Sequence, residues 1–232
     1  MWTRFVSEIL NITAILLIGA SLLLETALGP NARRPAFDPT AMQITLASMQ
    51  PIVEANAVFP KTLSVCPQMT VSNQPYPIKN RDILRYRETI ALNGVEIAMA
   101  PVEAACLSSG FGPRYGRMHK GIDLFHRDPV PIYAAGPGII REKQYHSGFG
   151  NMIVIDHGSE LYTRYAHLET FASGLEIGDQ VIRGRRIGTM GHTADYAIAR
   201  HLHYELLTGD WNDATGSFTL DAMDMFALAA AN

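Results

Sequence analysis

The sequence predicts a mainly β fold: an antiparallel β-sheet core preceded by an N-terminal hydrophobic helix. Three observations carry that prediction. From residue 82 onward, short runs rich in β-branched and aromatic residues alternate with turns, and the 232-residue chain holds 19 glycines and 13 prolines to make those turns. Asn93-Gly94 stands between the runs DILRYRETIAL and VEIAM. Both residues tolerate positive φ, so this is a strong hairpin signal. Finally, one uncharged apolar run, Ile9–Leu24, lies between Glu8 and Glu25.

Taken in order, residues 1–28 read as a signal anchor or signal peptide. The sixteen residues from Ile9 to Leu24 span about 24 Å as a helix, somewhat short of the roughly 30 Å hydrocarbon core. The candidate cleavage context, Ala27-Leu28-Gly29, runs straight into Pro30, which favours an uncleaved anchor. Arg4 before the run and Arg33 and Arg34 after it leave the orientation undecided. Residues 29–100 read as a linker and accessory region, opening with the proline-rich GPNARRPAFDPT. Residues 101–212 hold the regularly spaced strand-like runs, among them GPGIIREKQYH, NMIVIDHG, ELYTRYAHL and HLHYELL. Residues 213–232 form a C-terminal tail in which DAMDMFALAAAN reads as a short helix or a frayed end.

Composition excludes one class of partner. The formal charge is −3 and no Lys/Arg stripe is present to neutralise phosphates, so no nucleic acid is expected. The two cysteines, Cys66 and Cys106, read either as buried thiols or, in an exported chain, as a disulfide. The disulfide would add about 4 kcal/mol in the chain-entropy model.

Eight histidines are present, and their grouping matters more than their number. In HKGID, His119 and Asp123 are four apart. The four glycines and one proline of SSGFGPRYGRMHKGID argue against a helix there. On a straight strand the two Cα atoms would be about 13 Å apart, so they can share a metal only if the chain bends, and Gly121 supplies that freedom. In HLH, His201 and His203 fall on one strand face about 6.6 Å apart, with Leu202 directed oppositely. Two such imidazoles can both bind one metal, or one can bind while the other works beside it. His167 in RYAHLE ends a strand-like run.

Together, SGFGPRYGRMHKGIDL, IYAAGPGII, GNMIVIDHGSELYTRYAHL, GDQVIRGRRIGTMGHT and HLHYEL resemble the LytM/lysostaphin-type zinc metallopeptidases, family M23. The likeness runs from about residue 107 to 208 and includes both signature motifs, H-x-x-x-D and H-x-H. It departs at TADYAIARHLH, where the family usually has a Gly/Pro-rich turn. The resemblance implies an antiparallel core with a groove, of the LytM/duplicated-hybrid-motif type. It implies a Zn²⁺ held by His119, Asp123 and His203, with His167 and His201 as the two catalytic histidines that do not bind metal. The implied activity is hydrolysis of peptide cross-links in bacterial peptidoglycan, with its peptide stems as substrate. The expected place is the periplasm, anchored to the inner membrane through the N-terminal segment, or exported if that segment is cleaved; any regulatory protein partner is unidentified. The alternative is a non-catalytic or dual-role regulator that activates cell-wall amidases. A carrier domain built on GDQVIRGRRIGTMG lacks the lysine such a hairpin needs.

Other residues have milder readings. Arg114 either lines the groove or pins a turn. Tyr165, by alternation, shares the face of His167, whereas Tyr204 does not share that of His203. His157 caps a turn. Residues 41–100 are expected to cover the groove in part, as a self-inhibiting segment.

Overall fold

The structure is a computed structural model and describes residues 57–231. The N-terminal hydrophobic run and residues 41–56 of the expected covering segment lie outside the described residues. Among the described residues no helix is long and apolar enough to cross a membrane.

The architecture is antiparallel β, as the turn spacing predicted. Two short hairpins come first: β1 (Ile78–Lys79) with β2 (Asp82–Ile83), and β3 (Thr89–Leu92) with β4 (Val95–Ala98). Asn93 and Gly94 join the second pair with φ of 50° and 80°, the positive pair that the Asn-Gly signal requires. Then come β5 (Cys106–Ser109), β6 (Gly112–Arg114), β7 (Arg117–His119) and β8 (Ile122–Phe125). They are followed by β9 (Pro131–Tyr133), β10 (Gly138–His146), β11 (Gly150–Asp156) and β12 (Leu161–Phe171). The last strands are β13 (Gln180–Val181), β14 (Arg186–Met190), β15 (Leu202–Thr208) and β16 (Asp221–Met223), before helix α1 (Met225–Ala231).

One large sheet organises the molecule in the order β13-β10-β11-β12-β15-β8-β5, with β14 and β16 pairing β12 and β15 at their ends. One face carries the main core, including Leu107, Ile122, Leu124, Ile153, Ile155, Tyr165, Leu202 and Tyr204. The other carries a smaller apolar cluster of Met152, Val154, Tyr162, Ala166, Leu207 and Leu220.

Residues 57–100, within the stretch read as linker and accessory region, pack into the main core. Phe59, Leu63, Val65, Ile83, Tyr86, Ile90, Val95 and Ile97 are all buried in the main core. Cys66 and Cys106 form a disulfide that ties this stretch to β5. Alternation of apolar and exposed residues in the short hairpins, as in β4, gives each of them a core-facing side. The C-terminal stretch is also ordered onto the sheet: β16 pairs β15, and α1 buries Met225, Phe226 and Ala229. Asp224 caps that helix, its Oδ1 accepting from the Phe226 N–H at 2.9 Å.

Candidate metal centre

Three strands bring the site together. His119 ends β7, Asp123 lies on β8, and His203 lies on β15 directly opposite Asp123 in the ladder. The bend between His119 and Asp123 occurs at Lys120-Gly121, as expected, but the role of Gly121 differs from the expectation. Its φ is not positive. A Cβ there would lie 2.4 Å from the Tyr204 carbonyl oxygen, so the glycine provides room for close backbone approach.

All three residues are buried, at 5%, 5% and 7% exposure. His119 Nε2, His203 Nδ1 and Asp123 Oδ1 lie 2.9–3.0 Å from one another. The opposite nitrogens decide what these atoms are. His119 Nδ1 is 2.6 Å from the Gly110 carbonyl oxygen, which can only accept, so that nitrogen carries the hydrogen. His203 Nε2 donates to Glu205 Oε1 at 2.9 Å. In neutral imidazoles this leaves lone pairs on His119 Nε2 and His203 Nδ1, both aimed at a carboxylate oxygen. Three acceptors converging in a buried site demand a shared cation, and two imidazoles with one carboxylate form a three-ligand set of the kind that holds a catalytic divalent metal. A proton answers the same demand: burial pulls the His203 imidazole down, but hydrogen bonds and charge from Asp123 and Glu205 outweigh it and push it up to about 9. Arg114 Nη1 holds the other carboxylate oxygen, Asp123 Oδ2, at 2.9 Å. Arg114 therefore reaches the groove as one of its two readings held, and it leaves Asp123 a single oxygen for the cluster.

His201 and His167 stand beside this group. His201 Nε2 is 3.7 Å from Asp123 Oδ1, farther than the three clustered atoms are from one another. Its Nδ1 donates to the Ala199 carbonyl at 2.8 Å, and His167 Nδ1 donates to the Thr193 carbonyl at 2.9 Å. Each thereby keeps its Nε2 lone pair free, and both residues line the cleft. The two rings are 4.7 Å apart. Burial lowers both, His167 to about 4 with further repulsion from His201, so both are neutral near pH 7. The cleft over the cluster has a volume of about 400 Å³, with Arg114, Phe149 and Tyr196 among its walls. No described residue before Arg114 lines it, so the packed residues 57–100 do not cover the groove.

Strict alternation along β12 fails at His167. Tyr165 pairs with Tyr204 on the core face, both fully buried, so the expectation that Tyr165 shares the histidine's face is overturned. His167 has φ of 60° beside a register shift in the β11–β12 ladder. That left-handed residue turns the chain, so His167 reaches the same cleft as His203. His157 is likewise no turn cap. It is fully buried, with Nδ1 donating to the Pro137 carbonyl at 2.7 Å and Nε2 2.8 Å from Thr163 Oγ1. His126, His146 and His192 lie outside the cluster; His192 pairs with Glu169 at 3.3 Å. Sequence reasoning passed over Glu205 and Arg164. The signal for Glu205 was present in HLHYE, because a residue two beyond His203 on a strand shares its face.

The model of Peptidase family M23 matches residues 117–214. The chain is 33% identical over 115 residues to the peptidoglycan DD-endopeptidase ShyC of Vibrio cholerae, covering 47% of this chain and 26% of that protein. It is 36% identical over 110 residues to the peptidoglycan DD-endopeptidase ShyA of the same organism, covering 44% and 24%. Among solved structures, the catalytic domain of lysostaphin from Staphylococcus simulans is 27% identical, covers 54% of this chain and 92% of that one, and has a TM-score of 0.45. The chain thus spans about a quarter of the length of these curated relatives. The buried His-Asp-His cluster falls inside residues 117–214, the segment that matches the model of Peptidase family M23.

Proposed function

We propose that this protein is a zinc-dependent endopeptidase that hydrolyses peptide cross-links of bacterial peptidoglycan. The observation that carries the reading is the convergence of three buried acceptor atoms from His119, Asp123 and His203 at the floor of an open cleft. The curated relatives named above are peptidoglycan DD-endopeptidases, which supports the substrate class. In this reading the three residues hold Zn²⁺. When bound, the ion lowers the pKa of its water towards about 7 and polarises the scissile carbonyl.

The remaining work belongs to the chain's own side chains. His201 and His167 each present an Nε2 lone pair to the cleft, held in place by their Nδ1 bonds to backbone carbonyls. They can accept the proton of the attacking water and return it to the leaving amine, or hydrogen-bond the developing oxyanion once protonated. Arg114 keeps Asp123 oriented and adds positive charge to the cleft wall. The completeness of the ligand set does not favour a role confined to activating amidases.

The reading extends to location: an anchor in residues 1–28 would hold the domain in the periplasm. The Cys66–Cys106 disulfide supports an oxidising compartment. Incubation of the purified full chain with defined cross-linked muropeptide dimers tests the activity. Conversion to monomers that stops with chelator and returns with Zn²⁺ is expected; dimers left intact with zinc bound would overturn it. Blocking-reagent labelling of the cysteines in fractionated cells tests the compartment, with reduced thiols in the cytosolic fraction as the contrary result.

A further inference from the structure

Behind His203 lies a row of buried charged groups that the proposed chemistry does not use. Glu205 is 1% exposed and Arg164 3% exposed. They are direct partners across β12 and β15. Glu205 Oε1 accepts from His203 Nε2, and Glu205 Oε2 accepts from Arg164 Nη1 at 2.5 Å. The second guanidinium arm, Arg164 Nη2, donates to the carbonyl and hydroxyl oxygens of Ser217 at 2.7 and 2.8 Å. Ser217 in turn donates its N–H and its hydroxyl to the two oxygens of Glu142, at 2.8 and 2.7 Å. The Arg164 guanidinium also lies over the rings of Phe149 and Phe218, 4.6 and 5.2 Å from their centres. Gly216 makes the last link sterically feasible, since a Cβ there would stand 2.1 Å from Glu142 Oε1.

A buried ion pair offers little net stability over well-packed apolar residues, because desolvation offsets its Coulomb gain. Its position supplies a different use. We infer that Glu205 is a positioning residue for His203, and that Arg164, anchored through Ser217 and Glu142, holds Glu205 in place. The carboxylate keeps a hydrogen on His203 Nε2, so that Nδ1 is the nitrogen turned to the cluster. It also locks the ring's rotation. Arg164 prevents the carboxylate from turning away, since both of its oxygens are engaged. The C-terminal segment around Ser217 is by this account part of the support of the metal centre, although it contributes no ligand.

This inference rests on the metal reading, and its test separates the two. Zinc affinity is measured on the full chain by competition with a chromogenic chelator at fixed pH, together with thermal melting of the metal-free protein. Glu205→Gln is expected to weaken zinc binding by about 10- to 100-fold, as loss of an outer-shell partner of a metal-binding histidine does. It also leaves Arg164 buried without its countercharge, so the metal-free protein melts lower. Adding Arg164→Met removes that stray charge. The double variant is expected to regain melting temperature while keeping the weakened zinc affinity. Recovery of both together would overturn the positioning role and leave only packing. Unchanged affinity in Glu205→Gln would overturn it directly. Wild-type protein that takes up no zinc would instead remove the metal reading itself.

Discussion

Along β12 and β15, Tyr165 and Tyr204 face one way, and Arg164, His203 and Glu205 face the other. The two tyrosine rings pack 5.3 Å apart in the main core. Their hydroxyls are satisfied by nearby backbone, Tyr165 accepting from the Ala135 N–H at 2.8 Å and Tyr204 donating to the Ala98 carbonyl at 3.0 Å. On the opposite face, polar side chains bond chiefly to one another. The difference shows how a sheet two residues deep in register can separate tasks. One face converts buried area into stability, and the other is wired for chemistry and gains little stability from its charges.

Substitutions can break that separation. The largest effect is expected for His203→Ala, which removes a cluster atom and should abolish stoichiometric zinc binding and peptide hydrolysis together. His201→Ala sharpens the point: zinc should remain bound, measured by metal analysis, while turnover of muropeptide dimers falls by about 10²- to 10⁴-fold. Loss of zinc in that variant would place both histidines of HLH on the metal.

Next in size is the disulfide. Replacing Cys66 and Cys106 by serine opens a link between residues 40 apart and is expected to lower stability by about 4 kcal/mol, read from urea unfolding. Deleting everything before residue 101 should be worse, because it also strips core residues such as Leu63 and Ile97 from the packing. A truncated chain as stable as the longer one would contradict the shared core.

His157 gives a pH test of the core face. Burial pushes its imidazole down to about 4, against 6.5 for the ordinary group, with its bond to the Pro137 carbonyl opposing the shift only in part. Above pH 6.5 it is neutral in both folded and unfolded chains, and its contribution is intact. As pH falls from 6.5 to 4 the unfolded chain takes up the proton first, and stability drops by about 3 kcal/mol. Unfolding midpoints at pH 7 and pH 4 should differ less in His157→Gln than in wild type; equal differences would refute this. The smallest effect is Tyr165→Phe, which leaves the buried Ala135 N–H without its acceptor and should cost about 1–2 kcal/mol with zinc affinity unchanged.

What the chain revealed in advance follows from how local each feature is. HKGID and HLH are short motifs whose spacing made each pair legible by itself, and the resemblance to a known family, not spacing, joined His119 and Asp123 to His201 and His203. Asn93-Gly94 was legible because its turn type is set by two residues. The roles of residues 57–100 were not, because their short strands signal weakly and their partners, such as Leu107 opposite Val65, lie some forty residues away. Arg164 gave no signal for the same reason, since Glu205 meets it only through pairing of distant strands. His167 was singled out through the family resemblance, but the face of its neighbour Tyr165 was misread because alternation assumes a regular strand.

That irregularity limits how the centre could be moved to another protein. A designer who grafted these histidines and the aspartate onto a uniformly pleated sheet would find His167 projecting from the back of the scaffold. The transplant has to carry the backbone as well: the left-handed residue at 167, the register slip opposite Asn151, and the tight approach of Gly150 to Thr193, where a Cβ would sit 2.0 Å from the carbonyl oxygen. A histidine at positive φ is tolerated better than a β-branched residue would be. The recipe for the centre is therefore written in main-chain shape as much as in side-chain identity.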